Sequence, residues 1–208
     1  MRPSRLFWLL AGALWVLLLA GGWHALLRHD LTPGSKGTVP ATWPAESSLH
    51  LDPQRPTLLM FAHRNCPCTR TSLGELEYIL AHGSDAVAAR VVLVAPAGAS
   101  TDRVGRDIEV LARSLPNGDV AVDRGGTEAR RFGVRTSGHV VLYGPKGRLL
   151  FSGGITDGRG HAGDNDGRRA VLAWLQDGVA ERRTAPVYGC LLFANDGEAK
   201  GEDDSWNP

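Results

Sequence analysis

The sequence predicts one α/β domain, with a central mixed sheet flanked by helices, behind a single N-terminal transmembrane helix. Three observations lead to this prediction. A long uncharged apolar run lies near the N-terminus, buried-strand patterns alternate with helical patterns over most of the rest, and a cysteine pair falls where the first strand gives way to a helix. A length of 208 residues allows one folded domain with extensions.

The composition excludes several classes of protein. Hydrophobic residues make up 43% and charged residues 22% of the chain, close to the averages for globular proteins, which excludes wholesale disorder and a polytopic membrane protein. The 23 Lys and Arg residues balance 22 Asp and Glu residues, for a formal net charge of +1. Because so small a charge creates no long-range field suited to phosphates, we expect no nucleic-acid partner.

The apolar run covers residues 6–27 and contains no Asp, Glu, Lys or Arg. A helix of this length is ~33 Å long, enough to cross a hydrocarbon core of about 30 Å. Since Arg2 and Arg5 precede the run, the positive-inside rule places the N-terminus in the cytoplasm. We therefore expect residues 1–28 to be a single-pass anchor in a bacterial inner (cytoplasmic) membrane, with the domain on the periplasmic, extracytoplasmic side. A cleaved signal peptide, with small residues at 20–22, is the alternative.

The remainder of the chain divides into four parts. Residues 29–50 are rich in Pro, Gly, Ser and Thr without periodicity, and are predicted to be a linker. The folded domain is expected over residues 51–180, followed by a C-terminal extension over 181–193 that contains Cys190. Residues 194–208 are acidic and nearly without apolar side chains, which predicts a disordered tail.

Within the domain, short continuous apolar runs alternate with segments in which apolar residues fall on one helical face. The predicted strands are 57–62, 90–95, 120–122 and a hairpin over 139–154 with its turn at 144–147. The predicted helices are 69–82, a second one that follows capping candidates at 100–102 and reaches Leu115, a helical turn at 128–132, and a last one at 166–176.

A Cys66-Pro67-Cys68 turn joins the first strand to the first helix of the domain. Free backbone N–H groups and the helix dipole stabilise a thiolate at such a turn. Because proline costs no hydrogen bond in a first helical turn, Cys66 is expected near the helix cap and Cys68 just inside, with at least one sulfur exposed. A disulfide across one intervening residue would close a small, strained and easily reduced ring.

Three interpretations of this turn remain open. A redox dithiol is favoured, because two cysteines at such a turn outside the cytoplasm are seldom inert, and it needs no metal ion or other cofactor. A zinc or copper site would recruit His63 and Cys190 to the pair. Static, unreactive thiols are the third interpretation. Cys190, the odd cysteine, lies in an apolar segment and is either a small buried hydrophobic residue or a third redox or ligand residue.

The strand, the Cys-Pro-Cys turn and the helix resemble the thioredoxin-like superfamily over about residues 50–180, as does the later stretch RRFGVRTSGHVVLYGPKGRLLFSGG. More closely, HRNCPCTRTSLGELEYIL together with LLFSGGIT, RGHAGDNDGR and VYGCLLF is similar to membrane-anchored bacterial thioredoxin-like proteins of the RedB type. The resemblance implies a thioredoxin-like fold and thiol–disulfide exchange with a protein thiol or disulfide partner. Nothing in the sequence predicts an oligomeric state.

The resemblance also implies roles for individual residues. Cys66 would be the nucleophile, since the first cysteine lies at the exposed helix cap, and Cys68 would resolve the mixed disulfide. His63 would assist proton transfer or, when protonated, lower the thiol pKa. The substrate loop would consist of Thr136, Ser137 and Gly138.

The chain departs from the thioredoxin pattern at two places. Its cysteines are separated by one residue instead of two, and Gly138 stands where the family has a cis-proline. Loss of that proline can favour metal binding at the thiols, and His139, beside Gly138, could then approach the sulfurs.

Overall fold

The computed structural model describes residues 4–35, 37–63, 66–83, 87–95, 106–116 and 118–193. Its helices are α1 (Arg5–Leu31), α2 (Cys68–His82), α3 (Arg106–Arg113), α4 (Thr127–Arg131) and α5 (Asp166–Asp177). Its strands are β1 (Thr57–His63), β2 (Ala88–Ala95), β3 (Gly118–Arg124), β4 (His139–Tyr143) and β5 (Leu149–Gly153). From β1 onward the elements follow one another in the predicted order.

The five strands form one mixed sheet in the order β3-β2-β1-β4-β5. β1, β2 and β3 are mutually parallel, whereas β4 runs antiparallel to β1 and β5 antiparallel to β4. β1 therefore lies at the centre, and the predicted mixed sheet flanked by helices is confirmed. A parallel strand covered on both faces should be apolar throughout, and residues 57–62 are all buried.

The side chains of β1 alternate between two hydrophobic cores. Leu58 and Met60 pack with residues of α2, α3 and α5 on one face of the sheet. Leu59 and Phe61 pack on the other face, against Phe132 and its neighbours. Because both faces are covered, the end of β1 is held firmly, and the cysteine turn begins from a fixed point.

Residues 33–35 and 37–50, which the sequence predicts to be part of a linker, pack against the domain. The Trp43 ring lies 5.0 Å from the Phe132 ring and 5.3 Å from the Tyr143 ring, in edge-on contacts. The Tyr143 hydroxyl donates a 2.8 Å hydrogen bond to the carbonyl of Pro40, and Leu49 is buried in the same core. Isolated apolar residues without periodicity carry no strand or helix signal, although they can still fill a core.

Helix α1 extends four residues beyond the predicted end of the apolar run, so the first residues of the predicted linker are helical. It has no buried residue, and its length and composition are sufficient to cross a membrane. A signal sequence near an N-terminus would share these features. The helix is therefore a candidate anchor by length and composition.

A buried ion pair fixes α2 against α5. Glu75, on α2, accepts a 2.9 Å hydrogen bond from Nη1 of Arg168 and a 2.7 Å hydrogen bond from the backbone N–H of Gly163. The side chain of Asn165 caps α5 by accepting from the N–H of Arg168 at 2.8 Å. These contacts fix α2, the helix that begins with Cys68, against α5.

The remaining predictions differ from the structure in detail or cannot be compared with it. β3, an edge strand, is longer than the predicted strand at 120–122, because its pairing with β2 extends from Gly118 to Arg124. The capping candidates at 100–102 lie outside the described residues, and the second helix is described from Arg106 onward. The predicted disordered tail at 194–208 also lies outside the described residues.

Candidate functional site: a cluster of three cysteines

The cysteine turn lies between the end of β1 and the start of α2. Cys66 follows the strand, Pro67 occupies the N-cap with helical dihedral angles (φ −56°, ψ −34°), and Cys68 is the first helical residue. The N–H of Thr69 donates to the carbonyl of Cys66 at 3.0 Å. Because the proline ring fixes φ near this value and proline has no N–H, the turn loses nothing by having proline here.

The C-terminal segment, residues 187–193, brings Cys190 to the same place. The carbonyl of Cys190 accepts a 2.8 Å hydrogen bond from the N–H of Ser137, and the N–H of Leu192 donates to the carbonyl of Arg135 at 2.8 Å. Between them Leu191 pairs with Thr136 in an antiparallel bridge. At Gly189 an added Cβ would lie 2.1 Å from the carbonyl oxygen of Ser137, so the close approach requires glycine.

Several hydrogen bonds converge on the sulfur of Cys66. The thiol of Cys190 lowers the pKa of Cys66 most, and the backbone N–H groups of Cys190 and Cys68 and the hydroxyl of Ser137 also lower it. Burial acts in the opposite direction, because Cys66 is only 2% exposed. The effect of the hydrogen-bond donors is larger than that of burial, so the pKa of Cys66 falls well below that of an ordinary thiol.

The other two cysteines remain protonated. Burial raises the pKa of Cys68, and the negative charge of Cys66 raises it further. The pKa of Cys190 is raised chiefly because its thiol donates a hydrogen bond to Cys66, with burial adding to the effect. The charge of Arg159 partly opposes both shifts, and its Nη1 donates to the carbonyl of Gly189 at 2.5 Å. The arrangement thus favours the thiolate at Cys66 and the thiol at Cys68 and Cys190.

Ser137 is fixed beside Cys66 by its own hydrogen bonds. Its Oγ accepts from the backbone N–H of His63 at 2.9 Å and lies 3.1 Å from Oγ1 of Thr69. Thr69 also donates to the carbonyl of His63 at 3.0 Å. The end of β1, the start of α2 and the loop before β4 therefore share one polar network.

The two candidate histidines lie in different surroundings. His63 is half-buried, which lowers its pKa, while the charge of Cys66 raises it, so the two side chains are close. His139 instead places Nε2 2.8 Å from Oγ of Ser152 on β5, and burial lowers its pKa to about 4. It lines a cavity of about 470 Å³ beside residues 33–35, 37, 182 and 184–187. Because Nε2 of His139 is bonded to Ser152 on β5, the structure does not show His139 approaching the sulfurs.

A metal site gains no support from this arrangement. Within the described part of the chain, no group of three or more His, Cys, Asp or Glu side chains is placed to hold a metal ion together. The alternative metal function also loses His139 as a ligand, since that side chain is directed to Ser152.

The loop residues Thr136, Ser137 and Gly138, which the resemblance assigns to substrate binding, are buried by the chain itself. Oγ1 of Thr136 donates to the carbonyl of Ser35 at 3.0 Å, and the C-terminal segment covers the other side. Gly138 has a φ of +87° and donates its N–H to the carbonyl of Phe61 at 2.8 Å. Proline could satisfy neither condition, so glycine here reflects a different loop conformation.

One expectation about the cysteines needs correction. Cys66 is buried and not at an exposed cap, because the C-terminal segment packs over it; Cys68 is the partly exposed member of the pair. The sequence also did not identify Ser137 as a donor to the thiolate or Arg159 as a neighbouring charge. The apolar residues around Cys190 were the one signal that this segment packs on the domain.

The comparisons with known proteins bear on the fold. No family model matches the chain, and no curated protein matches it in sequence. An uncharacterized conserved protein from Geobacillus kaustophilus is similar in structure, with a TM-score of 0.55 and 15% identity over 80% of this chain and 94% of that chain. The hypothetical protein SMc02350 from Sinorhizobium meliloti 1021 has a TM-score of 0.54 and 19% identity over 77% and 93%.

A secreted Mycobacterium tuberculosis disulfide oxidoreductase is also similar, with a TM-score of 0.44 and 16% identity over 59% of this chain and 83% of that chain. At such identities the likeness concerns the fold alone. The mixed sheet, its strand order and the flanking helices define the chain as an α/β protein with a thioredoxin-like fold.

Replacing Ser137 with Ala should raise the pKa of Cys66 by about one pH unit, because a hydrogen bond to a charged group contributes on the order of 1.5 kcal/mol. The measurement is the ultraviolet thiolate absorbance of the reduced full-length protein in detergent as a function of pH. Ser114→Ala, at an exposed hydroxyl at the end of α3, is the matched control. An unchanged lowest titration midpoint in Ser137→Ala would show that this hydroxyl does not stabilise the thiolate.

Proposed function

We propose that the chain is a membrane-anchored, extracytoplasmic thiol–disulfide redox protein in which Cys66, in the Cys-Pro-Cys turn, is the nucleophile. The observation that carries this proposal is the set of hydrogen bonds on the Cys66 sulfur. The thiolate is the form of cysteine that attacks a disulfide, and these donors favour it at neutral pH. The resemblance of the sequence to the thioredoxin-like superfamily supports the same function.

In this mechanism Cys66 attacks one sulfur of a partner disulfide and forms a mixed disulfide, while the other partner sulfur leaves as a thiolate. His63 is close enough to sense the charge of Cys66, so it is the proposed group to give a proton to the departing thiolate and to recover it afterwards. A second thiol of the chain must then release the partner. Two thiols lie against Cys66 for this role, those of Cys68 and Cys190.

The partner is proposed to be a protein thiol or disulfide, and the reaction itself requires no bound cofactor. A partner must also reach a sulfur that the C-terminal segment covers. Hydrogen bonds of Ser137 and Leu192 with their backbone partners hold that segment over the site. Leu192 is also buried in the core that contains Phe132, so opening of the segment is a local unfolding step, which is proposed to precede exchange.

Full-length protein in detergent should reduce insulin disulfides when supplied with dithiothreitol, and Cys66→Ser should lower the rate to that of dithiothreitol alone. The reason is that serine can neither ionise at neutral pH nor form a disulfide. The assay follows insulin precipitation. Ser114→Ala again serves as the control, since it leaves the cysteine cluster intact.

Equal rates for the unmodified protein and Cys66→Ser would contradict the redox proposal. Stoichiometric zinc or copper retained through purification, and lost in Cys66→Ser, would instead favour metal handling.

For location we propose that α1 stays in the mature protein, with its N-terminus in the cytoplasm and the domain outside. Support comes from the uncharged run, the arginines before it and the absence of buried residues in α1. Alkaline phosphatase fused after residue 50 should be active and sediment with membranes, whereas a reporter active only in the cytoplasm should be inactive at that position. The reverse pattern would invert the topology, and a soluble mature form would identify a cleaved signal peptide.

A further inference from the structure

We propose that Cys190 is the resolving thiol, so that the disulfide formed at this site joins Cys66 to Cys190 instead of Cys68. This inference rests on the proposed redox function and names the second cysteine of the reaction. In it the C-terminal segment is a part of the active site that carries its own reacting sulfur.

The backbone of the C-terminal segment is fixed in register with the loop before β4. Hydrogen bonds flank the bridge on both sides, from Ser137 to the carbonyl of Cys190 and from Leu192 to the carbonyl of Arg135. The arrangement is that of an added β-strand, with main-chain bonds setting its position. One residue earlier, Gly189 packs against Ser137 so closely that a side chain would not fit. The position of Cys190 is therefore determined by backbone contacts on both sides of it.

The sulfur of Cys190 is directed at Cys66. Both its thiol and its backbone N–H hydrogen-bond to the Cys66 sulfur. A disulfide needs two sulfurs that meet from facing Cβ positions, and two chain segments packed against each other can provide this without moving the main chain. The link would join parts of the chain that the fold already holds together.

Cys68 is placed less well for the same bond, although its thiol also hydrogen-bonds to Cys66. Pro67, at the N-cap, has helical dihedral angles, and a disulfide across the single residue between Cys66 and Cys68 would close a small, strained ring. Closing the bond would mean turning the first residues of α2, where the N–H of Thr69 is bonded to the carbonyl of Cys66. Pro67 restricts that change, because its φ is fixed.

The reaction balances with a partner disulfide as the oxidant. The Cys66 thiolate attacks one partner sulfur; the partner S–S bond breaks and the other partner sulfur leaves as a thiolate. His63 gives a proton to that thiolate and recovers one from Cys190, and the Cys190 sulfur then attacks Cys66, which breaks the mixed disulfide and releases the second partner sulfur as a thiolate. Two electrons pass from Cys66 and Cys190 to the partner, and the reverse sequence oxidises a partner dithiol.

Tryptic mapping distinguishes the two disulfides, since cleavage places Cys66 and Cys68 together in residues 65–70 and Cys190 in residues 184–200. Reduced full-length protein in detergent is exposed to glutathione disulfide, quenched with acid, blocked with N-ethylmaleimide and digested at mildly acidic pH. The expected product is the peptide 65–70 joined to 184–200, with one N-ethylmaleimide label on 65–70. The same link should persist in Cys68→Ser.

Two substitutions at Cys190 separate its chemistry from its hydrogen bond. Cys190→Ser retains a hydroxyl donor toward Cys66, so the thiolate absorbance at neutral pH should survive, whereas Cys190→Ala should lose part of it. Both variants should accumulate glutathione bound to Cys66 and lose insulin reduction to the level of Cys66→Ser. Cys68→Ser should keep the larger part of the activity.

The outcomes separate this inference from the proposed function. A disulfide within residues 65–70, with full activity in Cys190→Ser, overturns the role of Cys190 and leaves the redox function standing. If glutathione disulfide yields neither a disulfide nor glutathione bound to Cys66, both are overturned.

Discussion

The hydrogen bonds on the sulfur of Cys66 connect three parts of the chain that are distant in sequence. The turn after β1 supplies the sulfur and the N–H of Cys68, the loop before β4 supplies the hydroxyl of Ser137, and the C-terminal segment supplies the thiol and N–H of Cys190. Burying a charge without such partners is very unfavourable, so an ionised Cys66 requires all three parts to be in place. The chemistry of the site therefore depends on the complete fold.

The scaffold makes this convergence possible because β1 is the central strand. With a core on each of its faces, β1 ends at a defined point, and β4 beside it carries the loop with Ser137 to the same edge of the sheet. The ion pair of Glu75 and Arg168 fixes α2 against α5, while Trp43 packs against Phe132 in the core on the other face of the sheet. The sheet thus supports a site in which Gly138, with its positive φ, lies in the loop before β4.

Local patterns in the sequence predicted the order of strands and helices, whereas the thioredoxin-like fold was predicted from the resemblance to that superfamily. The buried runs that became β1 and β2 and the Cys-Pro-Cys turn were found from spacing alone, because strands and helices leave periodic signals. The hydrogen bond from Tyr143 to Pro40 and that between His139 and Ser152 were not predicted, since both join residues that are separated in the sequence. The sequence placed Cys190 in an apolar segment but could not show that it reaches Cys66, which is a matter of tertiary pairing.

At neutral pH, Cys66 is expected to be a thiolate while Cys68 and Cys190 remain protonated. The most direct measurement is an NMR titration of the reduced full-length protein in detergent, with the cysteine β-carbons labelled with carbon-13 and assigned by single Cys→Ser variants. We expect the Cys66 signal to titrate well below the pH range of an ordinary thiol, and the Cys68 and Cys190 signals to titrate above that range. If all three cysteines titrate together in the ordinary thiol range, the hydrogen bonds on Cys66 do not stabilise a thiolate.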